Sequence, residues 1–98
     1  MDLPPGLLVI HQPVRLRIMG TLFKRRDVAF TALRDTLGLT DGNLASHTKT
    51  LGEHGYLEGR KVLTKTGFEM RYRITADGSK AFRAYLEALR GFLERLGD

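Results

Sequence analysis

Cysteine and tryptophan are both absent from this sequence of 98 residues, and only three prolines occur in it. Without cysteine, the chain can form no disulfide, no thiolate nucleophile and no cysteine-based metal or redox site. No apolar run approaches the ~18 to 20 residues of a membrane span, and the run from Leu7 to Ile10 is too short for the core of a signal peptide. The sequence therefore predicts a soluble, cytoplasmic protein with no membrane partner.

Positive charge is what the sequence has in excess. It contains 16 Lys and Arg against 11 Asp and Glu, a formal net charge of +5. Residues 15–27 and 60–73 carry +4 each, whereas residues 28–59 carry −2. In a chain with the length of one domain, this concentration of charge in two short stretches favours a polyanionic partner.

Apolar spacing predicts three helices in the first half of the chain. The first begins at Pro13 and runs through Phe23, and a short β-type segment follows at residues 27–30. The second helix spans Ala32–Leu37 and the third spans Asp41–His54. Only three residues separate the second helix from the third, which is the spacing of a helix-turn-helix.

Capping chemistry predicts where the second and third helices begin and end. The hydroxyls of Thr31 and Thr40 suit their N-caps, and Gly38 and Gly55 suit their C-terminal ends. The third helix would bury one stripe of side chains, made of Leu44, His47, Thr48 and Leu51. Because His47 lies on this apolar stripe, we expect it to be a packed, hydrogen-bonded scaffold residue, with a metal ligand as the alternative. His11 and His54 have no second ligand at metal-binding spacing.

The second half of the chain predicts a basic β-hairpin and one long helix. Residues 56–58, 62–64 and 70–75 have β-type composition, with a turn at residues 65–67. Residues 76–96 carry apolar positions spaced 4, 3, 4 and 3, which is the seam of a heptad repeat. This seam consists of Phe82, Leu86, Leu89, Leu93 and Leu96, and Tyr85 and Phe92 widen it.

Three motifs occur in order along the chain: L-G-L-T-x-x-x-L from Leu37, H-x-x-x-L-x-x-x-G-Y-L from His47 and Y-R-I-T-x-x-G from Tyr72. With these motifs, the chain resembles the winged-helix transcriptional regulators of the MarR and ArsR type, in their short, single-domain subset. The resemblance implies a mainly α fold with a small β-hairpin, a winged helix-turn-helix with a long C-terminal dimerisation helix. It also implies a homodimer that binds an approximately palindromic site on double-stranded DNA and usually represses transcription.

We expect a single winged-helix domain over residues 1–98. Residues 13–75 would form the DNA-binding core, and residues 1–12 and 76–98 would supply the dimerisation helices. The homodimer would form through Leu7, Leu8, Phe82, Tyr85, Leu86, Leu89, Phe92, Leu93 and Leu96. Alternatively, the heptad seam closes the core of the single chain.

The resemblance places a recognition helix at residues 41–54, in the major groove. Its N-terminal residues would lie nearest the base edges, and Thr31 at the start of the second helix would meet a phosphate. The residues predicted to bind DNA in these two helices are Thr31, Thr40, Asp41, Gly42, Asn43, Ser46, Lys49 and Thr50. Because residues 28–59 are acidic on balance, most of the affinity should come from the wing, through Arg60, Lys61, Lys65, Arg71 and Arg73. For both sets, the alternative is an ordinary solvated surface, and we expect Lys24-Arg25-Arg26 to be such a solvated turn.

The sequence also bears on two other classes of function, protein interaction and catalysis. A protein-interaction module built on a winged helix is the alternative to a DNA-binding regulator. No nucleophile–base pair, carboxylate pair or phosphate-binding loop is visible, so we expect no enzyme, and we expect neither a cofactor nor a metal. A small-molecule effector is possible, but nothing in the sequence supports one.

Overall fold

A helix-turn-helix and an antiparallel hairpin form the centre of the computed structural model, which describes residues 1–97. The helices are α1 (Pro5–Leu8), α2 (Pro13–Lys24), α3 (Phe30–Leu37), α4 (Asp41–Glu53) and α5 (Ala76–Leu96), and the strands are β1 (Val28–Ala29), β2 (Leu57–Thr64) and β3 (Gly67–Ile74). The hairpin of β2 and β3 is the wing. This architecture confirms the predicted fold class, and Asp98, the last residue of the predicted segment 76–98, lies outside the described residues.

Hydroxyl and amide side chains cap three of the helices. Thr40 accepts a hydrogen bond from the backbone N–H of Asn43 at 3.1 Å, which confirms it as the N-cap of α4. Gln12 and Thr75 cap α2 and α5 in the same way. The predicted left-handed glycines are also confirmed, since Gly38 follows α3 with a φ of 66° and Gly55 follows α4 with a φ of 75°.

The predicted start of α3 was wrong by two residues. The helix begins at Phe30, its N-cap is Ala29 and no side chain caps it, so Thr31 is the second helical residue. The reason is tertiary: Ala29 pairs with Arg71 in the sheet, and the helix starts directly after this extended residue. Phe30 then packs beside Tyr72 of the wing, with ring centroids 6.2 Å apart.

The three strands form one antiparallel sheet in the order β1-β3-β2. In the wing, the paired residues run from Leu57 opposite Ile74 to Thr64 opposite Gly67, so β2 is continuous across residues 59–61, where the composition suggested a gap. A glycine suits position 59 of this strand, because a Cβ atom there would lie 2.7 Å from the Tyr72 ring. The glycine makes room for that ring.

The core lies between the helix-turn-helix, the base of the wing and the first half of α5. Eight side chains in it are almost completely enclosed: Ile10, Ile18, Met19, Leu22, Leu33, Leu44, Leu51 and Tyr85. The α4 stripe faces this core as predicted, with Thr48 buried and its hydroxyl donating to the carbonyl oxygen of Leu44 at 2.9 Å. Within residues 1–97, no helix is both long and apolar enough to cross a bilayer.

Candidate nucleic-acid interface

The solvent face of α4 is polar. Gly42, Asn43, Ser46 and Lys49 are exposed on it, opposite the stripe that packs into the core. Thr50 is half-buried, and its hydroxyl donates to the carbonyl oxygen of Ser46 at 3.2 Å, so this side chain has only acceptor capacity left. The first turns of α4 therefore present an amide, a hydroxyl and an ammonium group to any partner.

Arg34 of α3 compensates the acidic charge at the start of α4. Its Nη1 donates to Asp41 at 2.8 Å, and its Nε donates to Asp35 at the same distance. Both carboxylates raise the pKa of the Arg34 guanidinium further above its usual range, and Asp35 has the larger effect. Two of the four carboxylates in residues 28–59 thus share one guanidinium within the helix-turn-helix, and Glu58 pairs with Arg73 of the wing. The net charge of this region stays at −2, because Arg34 is already part of that count.

The sheet register divides the wing into two faces. Directly opposed residues lie on the same face of a hairpin, and faces alternate along each strand. Arg60 is opposite Arg71 and Glu58 is opposite Arg73, which puts these four charged residues on one face. Lys61 lies on the other face, so the five predicted wing cations do not form one continuous basic surface.

Asp27 joins the charged face of the wing to the body of the protein. Its carboxylate accepts from Arg60 of β2 at 2.8 Å and from Arg71 of β3 at 3.1 Å. The hydrogen bond from Arg60, with that from Arg71, lowers the pKa of this carboxyl below its usual value. One side chain just before β1 thereby clamps both strands of the wing.

Two further ion pairs complete this charged face. Arg71, which donates to Asp27, also donates to Glu69 at 2.7 Å. Both carboxylates raise the pKa of the Arg71 guanidinium, and Glu69 has the larger effect. Arg73 pairs with Glu58 across the hairpin. Three cations therefore meet three carboxylates, and among the described residues Lys61 and Lys65 are the wing cations that make no ion pair.

Sequence reasoning missed Asp27, Glu58 and Arg34 as parts of this interface. Asp27 is the only acidic residue in the basic stretch 15–27, which is the one signal that set it apart. Its partners lie 33 and 44 residues away in sequence, so only the strand order brings them together. Lys24, Arg25 and Arg26 are exposed at the end of α2, and their assignment to a solvated turn stays a prediction.

His47 occupies the scaffold position that its place on the α4 stripe predicted. It is half-buried, and Arg15 of α2 donates to its Nδ1 at 3.2 Å. Burial, together with the positive charge of Arg15, lowers the pKa of the imidazole. In residues 1–97, no cluster of three His, Cys, Asp or Glu side chains is arranged to hold a metal ion.

This histidine predicts a pH dependence of stability. In the unfolded chain it takes up a proton near pH ~6.5, whereas in the folded chain protonation needs a lower pH. The free energy of unfolding should therefore fall as the pH drops through this interval, because the unfolded state binds more protons. Urea titrations at about pH 7.5 and about pH 5.5 measure the loss. In His47→Gln this loss should be smaller than in the wild type, and an equal loss would contradict the assignment.

The residues predicted for dimerisation fall into two groups. Phe82 and Tyr85 are 6% and 2% exposed, so they belong to the core of the single chain, and Tyr85 contacts the His11 ring nitrogen at 2.7 Å. This corrects their assignment to an interface. The others remain on the surface to some extent: Leu8, Leu86, Leu93 and Leu96 are exposed, and Leu7, Leu89 and Phe92 are half-buried.

Comparison with known proteins agrees with this geometry. Residues 14–93 match the winged helix DNA-binding domain family. An uncharacterized protein of Methanocaldococcus jannaschii is 35% identical over 78 residues, which cover 80% of this chain and 85% of that protein. A transcriptional regulator homologue from Pyrococcus horikoshii is 31% identical, with a TM-score of 0.86 over 91% of this chain and 88% of its own.

A more distant structure shares the fold. It is the homodimeric winged helix-turn-helix DNA-binding domain of a possible ArsR-family transcriptional regulator from Mycobacterium bovis. It is 21% identical, with a TM-score of 0.73 over 90% of this chain and 78% of that chain. The match over residues 14–93 covers most of the sequence, including α4 and the wing. This chain therefore belongs to the winged helix DNA-binding domain family, as a DNA-binding transcriptional regulator.

Proposed function

We propose that this regulator is a homodimeric, sequence-specific repressor on double-stranded DNA, with α4 in the major groove and the wing on the backbone or in the adjacent minor groove. The observation that carries the proposal is the two-sided nature of α4. One side holds the helix in the core through Leu44 and Leu51, and the other presents small and polar side chains to the outside. The major groove admits a helix of this kind.

Discrimination between sequences would come from the first turns of α4. The Asn43 amide can pair with the N6 and N7 positions of adenine, and the Lys49 ammonium suits the O6 and N7 acceptors of guanine. Gly42 has open space around it and lets the start of the helix approach the DNA closely. The hydroxyls of Thr31, Thr40 and Ser46 would serve phosphate oxygens or base edges.

Affinity would come from the lysines that the protein leaves unpaired. Lys49 on α4 and Lys61 and Lys65 on the wing are exposed, and none of the three forms an ion pair within residues 1–97. For Arg60, Arg71 and Arg73, a phosphate contact requires sharing or exchanging an internal carboxylate. We therefore assign these arginines mainly to the shape of the wing.

The second half of α5 would join two copies of the chain. The helix has 21 residues, about 30 Å, and the molecule measures 55 Å along its long axis but 25 and 21 Å across. Leu86, Leu93 and Leu96 are 40%, 57% and 67% exposed along one stripe of this helix. The relative from Mycobacterium bovis is a homodimer with the same fold. Such a pair would set two α4 helices on successive major grooves, about 34 Å apart.

Repression follows from this arrangement if the site overlaps a promoter, because a dimer that occupies two successive grooves excludes polymerase by its bulk. The cytoplasmic location expected from the sequence accords with a role on DNA and stays a prediction. A small-molecule effector is not part of the proposal.

Selection of bound fragments from a random DNA pool, followed by gel-shift titration at several salt concentrations, tests the proposal. Lys61 and Lys65 give four phosphate contacts per dimer, and Lys49 would add two more where it meets a phosphate instead of guanine. The logarithm of the association constant should therefore fall with the logarithm of the salt concentration with a slope between about −4 and −5. The selected sites should also be approximately palindromic. Recovery of no consensus, or binding that does not respond to salt, would contradict the proposal. A monomer that captures a different protein would favour an interaction module.

Lys65 and Arg71 should differ as contributors to affinity. Lys65→Ala should weaken binding to all sequences alike and make the salt slope shallower by about two units per dimer, since one phosphate contact is lost from each protomer. Arg71→Ala should leave the slope nearer the wild-type value and lower the thermal stability of the wing instead, because Asp27 and Glu69 lose their shared partner. Gel shifts and thermal melts of both variants measure this contrast. Equal changes in slope would show that the ion pairs open on DNA.

Asn43→Ala should change specificity more than affinity. Loss of one bidentate amide–adenine pair removes about 1 to 3 kcal/mol of discrimination at one position of each half-site. A repeated selection with this variant should recover the same consensus with that position blurred. If every position relaxed together, the amide would be acting on the fold of α4 rather than on a base.

A further inference from the structure

The tip of the wing carries two large apolar side chains that the chain itself does not cover. Leu63 is 70% exposed and Phe68 is 73% exposed, the highest values among the large apolar residues that the structure describes. They are directly opposed across β2 and β3, so their side chains lie side by side on one face of the hairpin. At the base of the wing the same face packs into the core through Leu57 and Tyr72. The tip thus extends the apolar face beyond the body of the protein.

Positive charge surrounds this pair. The part of the wing beyond the pair of Lys61 and Met70 contains one acidic residue, Glu69, which lies on the opposite face and pairs with Arg71. Lys61 and Lys65 have no such partner, whereas Arg60, Arg71 and Arg73 are matched by Asp27, Glu69 and Glu58. Lys61 lies on the same face as the apolar pair, two residues before Leu63. Lys65 lies in the turn beyond it. After internal pairing, the net charge of the wing therefore resides at its apolar tip.

Hydrogen bonds hold the tip in one shape. The Thr64 hydroxyl donates to the carbonyl oxygen of Gly67 at 2.6 Å and accepts from the backbone N–H of Thr66 at 3.3 Å. At the other end of the wing, the Asp27 clamp fixes both strands. An ordered surface loses less conformational entropy when it meets a partner.

We propose that Leu63 and Phe68 form an apolar wedge that contacts the minor groove of bound DNA. Apolar wedges of Leu or Phe are a recurrent means of contact with sugars and base steps in this groove, and Lys61 and Lys65 would meet the phosphates on either side. The charge around the pair selects this partner, because a polyanion complements both parts of the tip. The proposal rests on the proposed function and adds to it an apolar contact that does not depend on salt.

A double variant, Leu63→Thr with Phe68→Thr, tests the wedge while keeping the strand propensity of a β-branched residue. Its association constant for the selected site should fall by at least about tenfold, since burial of one such side chain is worth that factor or more. The salt slope should not change, because no phosphate contact is lost. The matched control is Val62→Thr, a change of the same kind on the opposite face of β2, which should bind as the wild type does.

Hydroxyl-radical footprints add a readout specific to the groove. The wild type should protect sugars that flank the major-groove contacts, and the double variant should lose this flanking protection and keep the central protection. Wild-type affinity in the double variant would overturn the wedge and leave the proposed function standing. A wild type that binds no DNA would overturn both. A change in sedimentation of the double variant would overturn the wedge in favour of a contact between protein chains.

Discussion

Gly78→Ala should lower the free energy of unfolding by about 3 kcal/mol or more, at the upper end of the cost of overpacking. A Cβ atom on Gly78 would lie 1.9 Å from the carbonyl oxygen of Tyr56, which is backbone and cannot rotate away. That oxygen also accepts from the backbone N–H of Thr75 at 3.0 Å, so it is fixed in place. The start of α5 would have to separate from the junction of α4 and β2.

Thermal denaturation monitored by circular dichroism measures this effect. For a chain of this size, about 3 kcal/mol corresponds to a fall of about 12 to 24 °C in Tm. Gly42→Ala is the matched control, because Gly42 lies in α4 and a Cβ atom on it would meet nothing within 4 Å. It should gain about 0.5 to 1 kcal/mol from helix propensity. Equal effects of the two substitutions would contradict the close contact at Gly78.

Leu93→Glu should convert the proposed dimer into a monomer and lower the affinity for the proposed palindromic site by at least about 100-fold, since linked half-sites gain that much from being bound together. Leu93 is 57% exposed in the single chain, so the substitution leaves the fold of the protomer intact. Between two chains, however, the carboxylate would enter an apolar interface and remain unpaired. The loss of DNA binding would thus follow from the loss of the partner.

Sedimentation velocity and gel shifts on whole and half sites distinguish the steps of this prediction. The Leu93→Glu variant should sediment as a monomer and bind a half-site and the whole site with similar, weak affinity. Ala84→Glu is the control, since Ala84 is exposed on the opposite side of α5 and its substitution should leave the dimer unchanged. A dimer that persists with full affinity in Leu93→Glu would place the interface elsewhere.

Local chemistry made parts of this fold predictable. Thr40 caps α4, Gly38 and Gly55 end their helices, and the α5 helix covers Ala76–Leu96, as the apolar spacing predicted. In each case the signal and its consequence lie within a few residues of one another. Thr31 shows the limit of this reasoning, because a threonine that suits an N-cap loses that role when Ala29, two residues before it, pairs with a distant strand and the helix begins at Phe30.

The candidate interface depended more on tertiary structure. The polar face of α4 was readable from its helical period, but the charge of the wing was not. Counting charges treated Arg60, Arg71 and Arg73 as available to DNA, whereas the sheet brings Asp27 and Glu58 against them. Likewise, the heptad pattern could not separate Phe82 and Tyr85, which fill the core, from the exposed leucines farther along α5.

By itself, the sequence determined the helix-turn-helix, the hairpin, the long final helix and the winged-helix class, because periodicity and capping act over one or two turns. Only the tertiary structure decided which charges and apolar side chains remain free. Burial and ion pairing depend on contacts between residues tens of positions apart, such as Asp27 with Arg71. The net charge of +5 pointed toward a polyanion. In the fold, Asp27 and two other carboxylates pair with the arginines of the wing, so the positive charge that stays unpaired there is that of the two lysines near its apolar tip.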